Sequence, residues 1–207
     1  MPLGDSALLV RFGAELDEHA NRAAVGFASR VRGADAPAAV LEVVSSLVSV
    51  LVRFDPLHPD APRLAGELRL LVSGAAIITA GDPVTVAVTF DGADLAEVSA
   101  SLGLSPAGFV ARHNLSPLRV LAIGFAPGFV YCGFHPSDLR VPRRRQVRRS
   151  VPAGTVLFAA GQTAITATDV PTGWHVIGRT DFRNFDPQAP RPVALAAGDL
   201  VRFEDAA

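Results

Sequence analysis

The first 80 residues alternate between apolar segments with the period of a β-strand and amphipathic segments with the period of a helix. Leu16, Ala20, Phe27 and Val31 recur at helical spacing, and Gly33 is a typical residue to end that helix. The pattern predicts strands at 6–13, 39–44 and 47–55 and helices at 14–33 and 60–75. This order predicts a small α+β domain over residues 1–81.

The pattern changes near residues 81–83, Gly-Asp-Pro. An alternating strand at 84–90 is followed by two short helical segments, 93–103 and 105–114. Beyond Leu118, short β-rich segments alternate with Gly, Pro and Asp turns, at 118–125, 154–160, 163–168, 174–180 and 199–203. This spacing predicts a closed or nearly closed β-barrel over residues 82–207. The predicted fold class is therefore α+β, with two domains.

Composition narrows the classes of function. The formal net charge is −1, which argues against nucleic acid or an anionic membrane as a partner. All 19 basic residues are arginine, and this excludes a P-loop lysine and a Schiff-base lysine. Cys132 is the single cysteine, and the N-terminus lacks the pattern of a signal peptide. We therefore expect a cytoplasmic protein.

An aromatic loop at 124–136, GFAPGFVYCGFHP, places rings on turn-prone backbone. Pro127-Gly128 is typical of a tight turn, whereas Phe125, Phe129 and Tyr131 are costly in a solvated loop. The combination indicates an ordered loop whose rings line a pocket or meet a partner. A bend between two buried strands is the alternative interpretation.

Arginines cluster in the segment 141–154, VPRRRQVRRSVPAG, at positions 143, 144, 145, 148 and 149. Guanidinium groups bind carboxylate and phosphate oxygens through paired hydrogen bonds, so the segment is a candidate anion site. A solvated basic loop is the alternative for most of the five. Nucleic-acid binding is weaker still, because no second basic stripe accompanies the cluster.

Two further segments carry candidate polar contacts. Gln162 and Thr163 interrupt an apolar strand pair, where a buried amide and hydroxyl need partners. Trp174 follows a Pro-Thr-Gly turn, and Arg179 stands at a strand end where it could reach a pocket. A structural hydrogen bond for the first pair and core packing for Trp174 are the alternatives.

The sequence gives little support for a catalytic nucleophile or for a metal site. Cys132 and His135 are three residues apart, but nothing else marks a catalytic pair, and a lone cysteine in an apolar loop usually packs as a small hydrophobe. The five histidines are scattered without the spacing of metal ligands. We therefore expect no metal site in this chain.

Six ordered motifs carry a family resemblance: GFAPGFVYCG, VPRRRQVRRSVPAG, GQTAI, GWHVIGRT, FDP and AGDLVRF. With GDSALLVRFG near the start, they extend nearly end to end. The chain resembles the family of the 5-oxoprolinase B subunit, also labelled allophanate hydrolase subunit 1, which includes an inhibitor of a sporulation histidine kinase. The resemblance implies a cyclophilin-like barrel after a small α+β domain.

The resemblance also implies a function. The family is similar to one half of a carboxyltransferase assembly, paired with a homologous second subunit, the C subunit of 5-oxoprolinase or allophanate hydrolase subunit 2. The implied reaction is the ATP-dependent opening of 5-oxoproline to glutamate, with ATP and Mg²⁺ used in the complex at a site the sequence does not indicate. The chain is expected to be inactive alone.

The motif positions carried over by this resemblance give the candidate site. We expect the catalytic groups to be Arg144, Gln162 and Arg179, and the substrate-binding groups to be Phe129, Tyr131, Arg143, Arg148, Thr163 and Trp174. The hypothesis places these side chains at one mouth of the barrel, with the partner subunit supplying the general base. Ala164, Thr166 and Ala167 depart from the family's usual Gly, Tyr and Pro, which leaves the substrate open.

Three other functions compete with this one. Hydrolysis or carboxyl transfer on allophanate or urea is the first alternative. A regulator that docks on a sensor histidine kinase is the second, with the aromatic loop as its interface. A single-chain prolyl isomerase rests on fold analogy alone.

Overall fold

The computed structural model describes residues 1–33, 36–73 and 81–206, with Ser73 described by its backbone alone. Two compact units make up the chain, Met1–Thr79 and Ala80–Ala207. The domain boundary predicted after residue 81 adjoins residues 74–80, which lie outside the described residues, and that boundary stays a prediction.

The first unit packs two helices against one face of an antiparallel sheet. Asp17 begins the first helix, because its carboxylate accepts a hydrogen bond from the Ala20 N–H at 2.8 Å. Val50 and Val52 alternate toward the helices and pack on Phe27. The elements are β1 (Ala7–Arg11), α1 (Glu18–Val31), β2 (Val40–Ser45), β3 (Ser49–Phe54) and α2 (Ala61–Ser73), with sheet order β1-β3-β2. All five predicted elements are confirmed; residues 74 and 75 of the predicted second helix lie outside the described residues.

The second unit is a seven-stranded sheet with two helices and a separate two-stranded sheet. Its elements are β4 (Val84–Val88), α3 (Leu95–Ser101), α4 (Pro106–His113), β5 (Leu118–Ile123), β6 (Val130–Gly133), β7 (Arg148–Val151), β8 (Thr155–Ala159), β9 (Gln162–Ile165), β10 (Val170–Thr172), β11 (His175–Arg179) and β12 (Leu200–Asp205). The large sheet has the order β11-β8-β9-β6-β5-β12-β4, and β7 pairs with β10. The α+β class is confirmed. Strands β6, β7 and β10 were not predicted.

A backbone seam joins the two outermost strands of the large sheet. Beyond β4, Thr89 exchanges hydrogen bonds with Arg179 of β11 at 2.9 and 3.0 Å, and Gly92 donates to Ile177 at 3.2 Å. A Cβ on Gly92 would lie 2.3 Å from the carbonyl carbon of Ile177, so the seam requires glycine at this position. The sheet is consequently a nearly closed barrel, as the strand spacing predicted; its cyclophilin-like character stays a prediction.

The barrel has two differently packed faces, because strand residues alternate between inside and outside. The interior holds Val120, Val130, Val156, Phe158, Ile165 and Ile177. Part of the exterior is also buried, where Leu157, Ala164 and Trp174 pack under Val151 of β7 and Val170 of β10. No helix in the described part of the chain is both long and apolar enough to cross a membrane.

Candidate functional site

A buried carboxylate holds two of the predicted site arginines. Asp94 lies at one end of the seam with 4 % of its side chain exposed. Its Oδ1 accepts from Arg144 at 2.6 Å and from Arg148 at 2.8 Å, and its Oδ2 accepts from Arg148 at 2.5 Å. The Val176 N–H also donates to Oδ2 at 2.7 Å. We call Asp94, Arg144 and Arg148 the seam cluster.

The charges and hydrogen bonds of the seam cluster stabilise the ionised form of the Asp94 carboxylate. Burial alone would raise the pKa of Asp94, but the hydrogen bonds from Arg148 and Val176 and the charges of both arginines outweigh burial and lower this pKa. The hydrogen bond between Arg148 and Asp94 also raises the pKa of Arg148. With two guanidinium groups around one carboxylate, the seam cluster carries a net positive charge. The Glu97 carboxylate oxygen lies 3.8 Å from a terminal nitrogen of Arg144.

Another predicted site arginine, Arg179, lies at the opposite end of the same seam. Arg179 pairs with Asp91 at 2.9 Å, and the two side chains are 66 % and 48 % exposed. Arg179 lies four positions after His175 along β11, which corresponds to about 13 Å of extended strand. Arg179 therefore does not join the seam cluster.

Predicted aromatic residues line up on the outside of the barrel. The Arg143 guanidinium lies over the Trp174 ring, 5.6 Å from its centroid, at a distance typical of a cation–π contact. Trp174 contacts Tyr131 with ring centroids 5.9 Å apart, and Tyr131 contacts Phe129 at 4.8 Å. Burial raises the pKa of Tyr131, and the charge of Arg143 opposes that rise. This aromatic row continues to Phe125, 5.5 Å from Phe129 and 70 % exposed.

A groove of about 420 Å³ opens between α3 and the arginine segment. Its lining includes Val98, Ser101, Arg143, Arg144, Arg145 and His175. Three arginines and a single acidic residue, Glu97, are among the lining residues, so the groove has an excess of positive charge. We call it the arginine groove, and it can accept a small anion.

The barrel interior contains a polar chain that the sequence did not indicate. The Thr163 hydroxyl lies 2.7 Å from His113 Nε2 and 2.8 Å from His135 Nε2, and the two imidazole centroids are 4.7 Å apart. His113 Nδ1 lies 2.6 Å from the Asn114 side-chain oxygen. Since that oxygen only accepts, His113 Nδ1 donates to it, Thr163 donates to His113, and His135 donates to Thr163.

Burial keeps both imidazoles uncharged. It lowers the pKa of His113 to about 4, against the opposing hydrogen bond to Asn114. It lowers the pKa of His135 to about 2, and the nearby His113 contributes to this shift. Rings of Phe90, Phe109, Phe158 and Phe203 surround the pair. The pair therefore packs as part of the core.

Gln162 and Thr163 are adjacent residues of β9, so their side chains lie on opposite faces of the barrel. Thr163 pairs in register with the interior residues Cys132 and Phe158, whereas Gln162 lies beside Gly133, whose Cβ position is 3.5 Å from its Cγ. The Gln162 side-chain oxygen is buried and has no hydrogen-bond partner among the described residues. Thr163 therefore faces the barrel interior and Arg179 pairs with Asp91 at the other end of the seam, so the structure does not bring these two side chains to the arginine segment. Gln162 faces the exterior, and its predicted convergence with the arginine segment stays a prediction. The individual roles assigned to these residues stay predictions.

Cys132 is fully buried in the barrel interior. Burial raises the pKa of its thiol to about 12, so a thiolate nucleophile is disfavoured. Within the described residues, no group of three or more His, Cys, Asp or Glu side chains is placed to hold a metal ion.

Sequence reasoning missed Asp94 and His175. Asp94 resembles an ordinary start of a helix, yet its carboxylate makes no capping bond and binds arginines about 50 residues away. His175 is the first residue of β11, directly after Trp174, and gives no signal of its own. In both cases the partners are distant in sequence, so only the fold reveals them.

Comparisons with known proteins place this geometry in a family. Residues 1–195 match the family model described as carboxyltransferase domain, subdomain C and D. The B subunit of 5-oxoprolinase from Bacillus subtilis (strain 168) is 32% identical over 97% of this chain and 90% of its own length.

Solved structures agree with that placement. A crystal structure of TTHA0988 superimposes with a TM-score of 0.87 at 34% identity, over 97% of this chain, which spans 40% of the TTHA0988 chain. The urea amidolyase of K. lactis matches with a TM-score of 0.71 at 15% identity, over 97% of this chain and 14% of that protein, which supports the fold alone. On these grounds the chain belongs to the family of carboxyltransferase C and D subdomains that includes the B subunit of 5-oxoprolinase.

Proposed function

We propose that this chain is one subunit of a heteromeric, ATP-dependent hydrolase that opens 5-oxoproline to glutamate. The observation that carries the proposal is the similarity to the B subunit of 5-oxoprolinase, which extends over 97% of this chain. In the proposed reaction the lactam C–N bond breaks and the elements of water are added, giving the amine and second carboxylate of glutamate. Hydrolysis of ATP to ADP and phosphate drives it.

The arginine groove is the part of this chain that suits the reaction. Arg143 and Arg145 are exposed at its edge and form no ion pair within the described residues. Their guanidinium groups can bind an anionic substrate and stabilise negative charge that develops on a carbonyl oxygen.

The rest of the site is proposed to come from a partner. His113 and His135 are sealed in the barrel interior, so neither is placed to act as the general base on a groove ligand. We therefore propose a homologous second subunit as the source of the base. ATP with Mg²⁺ is consumed in the complex, and we assign no residue of this chain to the nucleotide.

The test is co-expression with the second subunit followed by parallel assays of ATP hydrolysis with 5-oxoproline, urea and allophanate. We expect 5-oxoproline alone to stimulate ATP hydrolysis and to yield glutamate. Stimulation by urea or allophanate instead would replace the proposal with its carboxyl-transfer alternative.

Variants in the arginine segment link the activity to the groove. Arg143→Ala is expected to lower kcat/KM of the complex by about tenfold or more, because a charged hydrogen bond is lost. Arg149→Ala is the matched control, since Arg149 is exposed in the same segment but does not line the groove. Equal effects of the two variants would remove the groove from the proposed mechanism.

The exposed end of the aromatic row favours a second candidate function, a protein-binding regulator of a sensor kinase. Phe125 is 70 % exposed and has a backbone φ of 76°, a conformation that bulky residues rarely adopt. Inhibition of a purified sensor kinase by this chain, lost on Phe125→Ala, would support the regulator.

A further inference from the structure

A second cleft, of about 480 Å³, opens between α3, α4 and the ends of β4 and β12. It shares no lining residue with the arginine groove. Most of its lining is apolar and includes Phe90, Leu95 and Val110, and Asp205 is the only charged residue among the described residues that line it. We call it the helix cleft, and its volume lies within the roughly 300–1,000 Å³ typical of small-molecule sites.

One amide side chain presents a hydrogen-bond donor to the helix cleft. Asn114 lines the cleft and is partly exposed. Its side-chain oxygen lies 2.6 Å from His113 Nδ1 and accepts the hydrogen of that nitrogen. Its NH2 group remains accessible and has no hydrogen-bond partner among the described residues. A ligand in the cleft can therefore reach this donor.

The buried polar chain of the barrel holds the Asn114 amide in this orientation. His135 Nε2 donates to the Thr163 hydroxyl at 2.8 Å, and that hydroxyl donates to His113 Nε2 at 2.7 Å. The hydrogen of the neutral His113 ring is therefore on Nδ1, which requires an oxygen as its partner. Reversal of the amide would require the ring hydrogen to change nitrogen in both imidazoles. The chain thus keeps the NH2 group directed away from His113 and available to the cleft.

We propose that the helix cleft binds a small uncharged molecule that has an apolar body and a carbonyl group. The carbonyl oxygen accepts a hydrogen bond from the Asn114 NH2 group, and the apolar body packs on Val110 and Phe90. The Phe90 ring also contacts His113, with centroids 5.5 Å apart, so the polar chain supports both the donor and the apolar wall. The Asp205 carboxylate disfavours an anion, so this ligand differs in class from the substrate proposed for the arginine groove. The inference goes beyond the proposed function and does not rest on it.

The inference is tested with two probes on the full chain, acetophenone and 1-phenylethanol. They have the same carbon skeleton, but the ketone only accepts a hydrogen bond whereas the alcohol also donates one. Binding is measured by NMR titration of the methyl signals of Val110 and Ala111, which both line the cleft. We expect the wild-type chain to bind the two probes with affinities within about threefold, since both accept from the Asn114 NH2 group. An excess of 5-oxoproline should displace neither.

Variants identify the residue responsible. Asn114→Asp keeps the oxygen that accepts from His113 and replaces the donor in the cleft with an acceptor. It should weaken acetophenone by about fivefold or more relative to 1-phenylethanol, whose hydroxyl can donate to the carboxylate. Leu115→Ala is the matched control, because Leu115 is 75 % exposed beside Asn114 but does not line the cleft, and it should leave the ratio unchanged. Ala111→Met, which fills the cleft, should weaken both probes.

The wild-type chain alone can overturn the inference, without requiring any variant to fold. It fails if neither probe shifts the methyl signals of Val110 and Ala111 up to the solubility of the probe, or if 5-oxoproline displaces the probes. The nitrogen chemical shifts of the imidazoles should place the ring hydrogen on Nδ1 of His113 and on Nε2 of His135. The opposite tautomers would turn the amide oxygen of Asn114 toward the cleft and also overturn it. An unchanged probe ratio in Asn114→Asp would overturn the role of Asn114.

Discussion

The two ends of the barrel seam carry the same kind of ion pair in opposite environments. Asp94 is 4 % exposed and binds two arginines that are 23 % and 29 % exposed. Asp91, three residues earlier, is 48 % exposed and binds one arginine that is 66 % exposed. Both aspartates precede α3 and follow β4, so their local sequence does not separate them.

This difference teaches that burial, more than residue type, decides what an ion pair does. A solvated pair is screened by water and contributes little, whereas a buried carboxylate must keep its partners or leave uncompensated charges. The seam cluster also ties the arginine segment to β11, since Asp94 binds both Arg144 and the Val176 N–H. The Arg144 N–H adds a backbone hydrogen bond to the Gly173 carbonyl at 2.7 Å, just before β11. We therefore assign Arg144 and Arg148 a positioning role for the groove in addition to the roles predicted for them.

The largest effect should come from removing the buried aspartate. Asp94→Ala is expected to lower the free energy of unfolding by about 3–5 kcal/mol, because two guanidinium groups and the Val176 N–H lose their acceptor. Asp91→Ala is the matched control and should cost no more than about 0.5 kcal/mol. Urea denaturation followed by the fluorescence of Trp174, the single tryptophan, measures both in the barrel unit. Similar losses would contradict the contrast.

The buried neutral His113 and the buried charged Asp94 should make the stability of the protein depend on pH in different ranges. His113 has its pKa lowered to about 4 from 6.5, so the unfolded chain binds a proton over this range that the folded chain does not. The contribution of His113 to stability is therefore complete above pH 6.5 and falls as the pH decreases to 4, by about 1.4 kcal/mol per pH unit and about 3 kcal/mol in total. His135, whose pKa is lowered to about 2, adds a second loss over the same range.

His113→Phe tests this titration within a shell of aromatic rings. The slope of unfolding free energy against pH between 6.5 and 4 should decrease by about 1.4 kcal/mol per pH unit, whatever the variant's stability at pH 7. Asp94 has a lowered pKa, so its contribution is present above its ordinary value of 3.8 and is lost only below it. Asp94→Asn should therefore leave the slope between pH 6.5 and 4 unchanged. An unchanged slope in His113→Phe would refute this account of the histidine.

The smallest effect is expected at the exposed end of the seam. A double-mutant cycle of Asp91→Ala and Arg179→Ala should give a coupling of about 0.2–1 kcal/mol, decreasing at high salt. The corresponding cycle for Asp94 and Arg148 should give about 1.5–3 kcal/mol with little salt dependence. A larger coupling at the exposed end would show that solvent exposure does not distinguish the two pairs.

Local patterns predicted the elements but not the contacts between them. The segments 47–55 and 174–180 correspond to β3 and β11 because alternation and β-branched residues are local signals. Strand β6 falls within a predicted loop because Gly and Pro flank its four residues, and β7 is hidden by arginines, one of which faces Asp94. Gln162 and Thr163 form one predicted group because they are adjacent, although adjacent strand residues face opposite sides. The aromatic row was predicted in part, since Phe129 and Tyr131 share one loop.

The position of β12 in the sheet has a consequence for synthesis of the protein. Leu200–Asp205 pairs with β5 on one side and with β4 on the other, so the last strand of the barrel lies between strands made much earlier. While the ribosome adds the residues from 89 to 205, which takes on the order of ten seconds, the edge of β4 that pairs with β12 has no partner. Until then the nascent chain presents an apolar edge that can pair with other chains or be shielded by a chaperone.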